Sequence, residues 1–112
     1  MENMKSLQKL VYELVEKHNL EISPELRYLD LTSEVGEVGK ELLKGSNYGK
    51  EEFQKTDNLE LELGDTFFSL ICIANSLDLD LEKALLKVLE KYQNRFSEKG
   101  SIGSEKVKDS NN

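Results

Sequence analysis

The sequence has few of the residues that form disulfides and transition-metal sites. Its 112 residues include one cysteine, Cys72, one histidine, His18, one proline and no tryptophan. A single cysteine excludes a disulfide within the chain, and one cysteine with one histidine leaves too few ligands for most zinc sites. Any metal chemistry must therefore rest on oxygen ligands.

Long apolar runs are also lacking. No segment approaches the roughly 18 apolar residues that span a membrane, and the opening stretch, MENMKSLQKL, has no apolar segment typical of a signal peptide. Acidic residues outnumber basic ones by 22 to 15, which gives a net charge of −7. Such a chain repels the phosphates of nucleic acids. We therefore expect a cytoplasmic protein that binds neither a membrane nor nucleic acid.

The chain has helical periodicity in four segments and no strand-like alternation of useful length. Apolar residues recur at spacings of three and four, as on one face of a helix. The predicted helices cover about 3–18, 23–44, 57–76 and 80–96. Short connections favour antiparallel neighbours, so we expect an all-α fold, a four-helix antiparallel bundle within residues 1–99. Residues 100–112 contain few large apolar side chains, and we expect a disordered, mobile C-terminal tail there.

Three glutamates share one face of the second predicted helix. Residues three and four apart project from the same side of a helix, so Glu34, Glu37 and Glu41 lie within a narrow arc. Leu31 and Val38 lie beside that arc and must face the core. We therefore expect these carboxylates at the edge of the buried side, or on it.

The third predicted helix carries two acids at the same spacing. Glu62 and Asp65 are three apart in a segment that is apolar on nearly every other face, a pattern typical of an interior helix. Removing an unpaired carboxylate from water costs several kcal/mol, and the arcs around these acids contain no lysine or arginine. A divalent cation is the remaining partner, and oxygen-only ligands select Mg²⁺, Ca²⁺ or Mn²⁺ over zinc.

Two other kinds of helical protein carry acids on helix faces. A di-iron carboxylate bundle needs a Glu-x-x-His pair on two helices, and His18 is preceded three residues earlier by Val15. That alternative fails on the sequence. A non-catalytic helical oligomerisation or interaction module, with a solvated acidic face, stays open at this point. A single ExxE pattern would favour it, whereas ExxE followed by ExxD favours a metal site.

The acidic pattern resembles a known family. SEVGEVGKEL is followed by ELGDTFF, with 24 residues, 38–61, between Glu37 and Glu62. This order resembles the MazG-like members of the all-α NTP pyrophosphohydrolase superfamily, which carry EExxE and then ExxD. Glu34 and Glu37 match the last two acids of the first half, and Glu62 and Asp65 match the second. Ser33 stands where the family has its leading glutamate.

A second segment resembles the same family. KYQNRF, near the end of the fourth predicted helix, is similar to the family's KFxxRF segment and places Lys91 and Arg95 on the matching basic positions. LDLDLEKAL also resembles the start of the family's fourth helix. The likeness extends from about residue 7 to residue 96, which is most of the chain.

The resemblance implies an enzyme. Such proteins bind Mg²⁺ through the four acids, here Glu34, Glu37, Glu62 and Asp65, with Mn²⁺ as an alternative metal. They cleave a nucleoside triphosphate between the α and β phosphates, releasing a nucleoside monophosphate and pyrophosphate, and they assemble as homodimers or homotetramers.

The expected roles follow from that reaction. One of the acids, Glu37 or Glu34, would accept a proton from the attacking water. Lys91 and Arg95 would hold the β and γ phosphates, since they project from one face of a helix. Glu41 would lie next to the metal ligands and support them without binding the metal itself.

Overall fold

The computed structural model describes residues 3–99, and this part of the chain contains four α-helices and no strand. They are α1 (Met4–Lys17), α2 (Pro24–Gly45), α3 (Leu59–Ser76) and α4 (Leu81–Lys99). The predicted all-α fold is confirmed. The predicted tail, 100–112, lies outside the described residues. Within the described range, no helix is long and apolar enough to cross a membrane.

The first two helices begin with side-chain caps. At α1, the Asn3 side chain accepts a hydrogen bond from the Ser6 backbone N–H (2.9 Å), and the Ser6 hydroxyl accepts one from the Asn3 N–H (2.9 Å). This reciprocal pair satisfies two N–H groups that the helix leaves without partners. At α2, Ser23 accepts from the Leu26 N–H (3.2 Å) ahead of Pro24. The predicted start of α2 is therefore confirmed.

Two predicted helix ends differ from the structure. Asn58 already has helical backbone angles (φ −80°, ψ −16°) and makes no side-chain cap hydrogen bond. The predicted start near residue 57 is therefore two residues early, because α3 begins at Leu59. Helix α4 starts as expected, with Asp80 accepting from the Lys83 N–H (3.1 Å). It ends at Lys99, three residues beyond the predicted end.

The chain divides into two compact units, and the first, ending at Leu79, contains α1, α2 and α3. Helix α3 packs against both α1 and α2. The core lies along α3, where Ile71, Cys72 and Ala74 are buried. Asn75 joins the end of α3 to α1: its Nδ2 donates to the Gln8 carbonyl (2.9 Å), and Gln8 Nε2 donates to Asn75 Oδ1 (2.9 Å).

The connection between α2 and α3 folds back onto the end of α2. The Gln54 N–H donates to the Gly45 carbonyl (2.8 Å). A side chain at residue 45 would meet the Phe53 ring and would lie 2.7 Å from the Gln54 carbonyl oxygen. Glycine is therefore required here for close approach, and the returning chain places Thr56 beside α2.

Helix α3 is less enclosed than its apolar sequence predicts. Leu61, Leu63, Phe67 and Leu70 are 67, 53, 40 and 40% exposed. Within the first unit, α1 and α2 cover only part of the circumference of α3. The pattern typical of an interior helix is therefore only partly matched by burial in the described residues, where an apolar face of α3 stays open.

The second unit begins at Asp80 and contains α4. Its apolar stripe is exposed: Leu85, Leu89 and Phe96 are 58, 53 and 59% exposed. This helix therefore has the amphipathic pattern that the sequence predicts, with its apolar side open.

Candidate active site

Helices α2 and α3 run antiparallel, so the end of α2 lies beside the start of α3. Three contacts give the direction: Glu41 with Thr56, Glu34 with Glu62 and Asp65, and Arg27 with Phe68. As the residue number falls along α2, the number of its partner rises. This pairing brings the ExxE segment of α2 opposite the ExxD segment of α3.

Three of the predicted acids form one cluster. Glu34, Glu62 and Asp65 each offer a carboxylate oxygen, and these oxygens all lie within 4.8 Å of one another. Glu34 and Glu62 are half-buried, whereas Asp65 is exposed. The expectation that all the acids are enclosed is wrong for Asp65, because the face of α3 that carries it is open. The expected convergence of both acidic segments is nevertheless present.

The electrostatics of the cluster are those of crowded negative charge. Burial raises the pKa of the Glu62 carboxyl group above its usual range, and the neighbouring Asp65 and Glu34 charges raise it further, followed by those of Glu37 and Glu41. A nearby cation favours the charged form of each carboxylate. Three carboxylate oxygens are also the donor set that Mg²⁺ and Mn²⁺ accept, so these residues fit a divalent cation.

The fourth predicted ligand, Glu37, lies outside this group of three. It follows Glu34 by one turn of α2 and is exposed. Its charge nonetheless contributes to the raised pKa of Glu62. A role for Glu37 in metal binding or proton transfer stays a prediction.

The most enclosed acid is Glu41, which is 6% exposed. Its Oε1 accepts a hydrogen bond from the Thr56 hydroxyl (2.8 Å), and its Oε2 pairs with Lys44 Nζ (3.3 Å). The Thr56 hydrogen bond is the main cause of the lowered pKa of Glu41, and Lys44 lowers it further. Both carboxylate oxygens are thus engaged by protein groups, which suits a supporting role behind the cluster.

Sequence reasoning missed both partners of Glu41. Lys44 follows it by three residues, a spacing that does predict a contact on one helix face. Thr56 lies in the connection between helices and carries no periodic signal. Only the return of that connection onto α2 places its hydroxyl near the carboxylate.

The two predicted phosphate ligands lie on α4. Lys91 is exposed and Arg95 half-buried, and they are four residues apart on that helix. Lys91 Nζ lies 5.1 Å from the centre of the Tyr92 ring. They belong to the second unit, so their part in the site stays a prediction.

The meeting of the two acidic segments agrees with a comparison of this sequence with models of protein families. A model of the MazG nucleotide pyrophosphohydrolase domain matches residues 22–98. The chain belongs to the MazG family. The matched residues include both acidic segments and the basic pair on α4, so the resemblance in the sequence is confirmed.

Individual MazG relatives agree with this assignment. The chain is 38% identical over 76 residues to YpjD, an uncharacterized protein of Bacillus subtilis strain 168, which covers 65% of this chain and 67% of the relative. It is also similar to the crystal structure of a Bacillus-conserved MazG protein, a nucleotide pyrophosphohydrolase. That match has a TM-score of 0.70 and 35% identity and covers 82% of this chain and 90% of the other.

A second crystal structure, that of YPJD from Bacillus subtilis, matches with a TM-score of 0.71 and 35% identity. It covers 85% of this chain and 97% of the other. The all-α MazG-type fold is therefore confirmed, and the chain is an enzyme, a nucleotide pyrophosphohydrolase. The alternative of a non-catalytic module receives no support from these matches. The family points to a nucleotide substrate and a divalent metal, which the three-carboxylate cluster fits.

Proposed function

We propose that this MazG enzyme cleaves a nucleoside or deoxynucleoside triphosphate between the α and β phosphates, with Mg²⁺ as cofactor and Mn²⁺ as the alternative. The observation that carries the proposal is the meeting of Glu34, Glu62 and Asp65, whose oxygens lie within 4.8 Å of one another. These three residues would hold the cation, with Glu37 as a fourth ligand. The cation would neutralise the triphosphate and polarise the α-phosphoryl group.

A carboxylate of α2 would accept the proton of the attacking water. Water attacks the α phosphorus, the bond between that phosphorus and the bridging oxygen breaks, and pyrophosphate leaves with the bridging oxygen. The proton of the water passes to a glutamate. Glu37 suits this step better than Glu34, because it is exposed and lies outside the group of three carboxylates.

The pyrophosphate half of the substrate needs positive partners. Lys91 and Arg95 are four apart on α4 and so project from one face. Arginine offers a planar fork of donors that matches a phosphate, whereas lysine acts as a point charge. We assign both to the β and γ phosphates.

Self-association completes the proposal. Leu63 and Phe67 on α3 and Leu85 and Leu89 on α4 are 40 to 58% exposed, and apolar surface of this extent is characteristic of protein interfaces. We propose a homodimer or homotetramer. The net charge of −7 argues against nucleic acid as a partner, and the cytoplasmic location stays a prediction.

The decisive experiment is a panel of nucleoside triphosphates with Mg²⁺, in which monophosphate, pyrophosphate and phosphate are measured separately. We expect equal amounts of monophosphate and pyrophosphate. Release of single phosphates would contradict cleavage at the α–β bond. Sedimentation at the mass of one chain would contradict the proposed assembly.

Metal binding is tested separately by thermal unfolding. A ligand that binds only the folded state stabilises it by about 2.7 kcal/mol at 100 times its Kd, so Mg²⁺ should raise Tm. Asp65→Asn should remove this rise, whereas Glu60→Gln removes a charge from α3 outside the cluster and should retain it. A wild-type chain whose Tm and activity are both indifferent to millimolar Mg²⁺ would favour the non-catalytic module.

A further inference from the structure

The first unit contains a cavity of about 170 Å³ that the proposed reaction does not yet use. It lies between the second half of α1, the α1–α2 connection, the first turn of α2 and the last turns of α3. Tyr12, Val15 and Ile22 contribute its aromatic and apolar walls. A concave, largely apolar site with a few polar groups is typical of small-molecule binding. The volume suits one planar heterocycle better than a whole nucleotide.

The cavity lies along the same helix faces as the acidic cluster. Arg27, on its wall, precedes Glu34 by seven residues, and Cys72, also on its wall, follows Asp65 by seven. Seven residues are close to two turns, so both pairs share a face and are about 10 Å apart along the helix axis. A nucleoside extends over a comparable length from its phosphate to its base.

Three polar side chains on the cavity wall donate hydrogen bonds within the protein. Asn75 Nδ2 donates to the Gln8 carbonyl (2.9 Å), and the Ser76 hydroxyl donates to the Ile73 carbonyl (2.9 Å). Arg27 Nη2 donates to the Leu20 carbonyl (2.8 Å).

Two carboxylates on the wall add hydrogen-bond acceptors. Glu16 and Glu21 both line the cavity, and an ionised carboxylate can only accept hydrogen bonds. The Tyr12 hydroxyl hydrogen-bonds Glu16, which raises the pKa of the tyrosine and leaves further lone pairs on the carboxylate. A ligand that brings its own donors is therefore the better match.

We propose that this cavity binds the base of the nucleotide, and that Glu16 and Glu21 favour a base with an exocyclic amino group. The inference rests on the proposed function, since it takes the α phosphate to lie at the acidic cluster. The amino group of cytosine or adenine donates to a carboxylate. The carbonyl oxygen at the same position of uracil or hypoxanthine is a second acceptor, which cannot donate to the carboxylate and is repelled by its negative charge.

Phosphate-free ligands test the cavity without the metal site. Cytidine against uridine and adenosine against inosine differ at one amino or carbonyl position, and their binding to the full chain without Mg²⁺ can be followed by NMR titration. We expect each amino nucleoside to bind at least tenfold more tightly than its carbonyl partner. Equal affinities within each pair, or no binding by any of the four, would overturn the proposal.

Three variants of the same type, two on the cavity wall and one outside it, test the carboxylates. Glu21→Gln supplies an amide that donates as well as accepts, so the preference for cytidine over uridine should fall to about twofold or less. Glu13→Gln makes the same charge change on α1 at a residue that does not line the cavity, and should keep the full preference. Retention of the preference in both Glu21→Gln and Glu16→Gln would refute the assigned selectivity.

Cys72 provides an independent reporter, because it is the sole cysteine of the sequence and lines the cavity. Cytidine should slow alkylation of its thiol at least threefold, and uridine at the same concentration should leave the rate unchanged. Equal protection by both nucleosides, or by neither, would overturn the selectivity.

The outcomes separate this inference from the proposed reaction. Discriminating binding of nucleosides without pyrophosphate release from any triphosphate would support the cavity and refute the reaction. Pyrophosphate release at equal kcat/KM from CTP and UTP, with equal binding of cytidine and uridine, would leave the reaction in place and overturn the base assignment.

Discussion

Gly45→Ala is expected to destabilise the protein, although alanine favours helix more than glycine does. Gly45 is the last residue of α2, and the chain returning from residue 46 passes directly over it. A Cβ there would meet the Phe53 ring and would lie 2.7 Å from the Gln54 carbonyl oxygen. The ring can turn aside, but the carbonyl is backbone and can move only if the connection moves.

The magnitude follows from three contributions. Overpacking costs about 1–3 kcal/mol, and weakening the Gln54–Gly45 hydrogen bond costs about 0.5–1.5 kcal/mol more. Replacing glycine by alanine in a helix returns about 1 kcal/mol at most. We therefore expect a net loss of about 2 kcal/mol, which corresponds to a fall in Tm of roughly 10 °C for a chain of this size.

Gly36→Ala is the matched control, because a Cβ at Gly36 meets nothing within 4 Å. The same exchange in the middle of α2 should stabilise the protein by up to about 1 kcal/mol. Both variants are compared with wild type by urea unfolding and thermal melting. Equal stability of wild type and Gly45→Ala would refute the reasoning, as would an equal loss in both variants.

Three further predictions concern the site and its support. Asn75→Ala removes both hydrogen bonds to Gln8 and should lower the free energy of unfolding by about 1–3 kcal/mol; a loss below about 0.5 kcal/mol in urea unfolding would contradict this. Arg95→Lys keeps the charge but loses the fork, so KM for the triphosphate should rise about tenfold with a smaller change in kcat; an unchanged KM would remove Arg95 from substrate binding. In the metal-free enzyme, the raised pKa of Glu62 contributes stability that is fully present below its ordinary value of 4.5 and is lost as the pH rises through the raised value. Tm should therefore rise as the pH falls from neutral towards 4.5, and Glu62→Gln should flatten this rise. The lowered pKa of Glu41 acts in the opposite direction, since its contribution is lost as the pH falls through the lowered value.

Much of the helical structure follows from local patterns. The Ser23 cap with Pro24 and the cap at Asp80 each involve residues that are neighbours along the chain, so their geometry is available without the fold. The start of α3 could not be predicted in the same way. Thr56, just before it, donates a hydrogen bond to Glu41, fifteen residues earlier, and the residues next to Thr56 do not predict this contact with α2.

The acidic cluster depends both on local helix geometry and on the packing of α2 against α3. The helical repeat alone places Glu62 and Asp65 on one face of α3, and the order of motifs points to the family. The sequence does not predict which face of α2 meets the acidic face of α3. Nor does it predict that Glu34 lies within the group of three carboxylates and Glu37 outside it. Asp65 is exposed although α3 has an apolar sequence, because such a sequence indicates what can be buried and not how many neighbours cover it.

The sequence by itself determined the four helices, the MazG membership and the set of acids from which a metal site can be made, because all three depend on spacing along one chain. Only the tertiary structure decided that Glu34 meets Glu62 and Asp65, that Glu41 is held by Thr56, and that Tyr12 and Cys72 border one cavity. The physical reason is that these contacts join residues on different elements. Their distances depend on how α2 and α1 pack against α3, and no local rule of helix geometry contains that information.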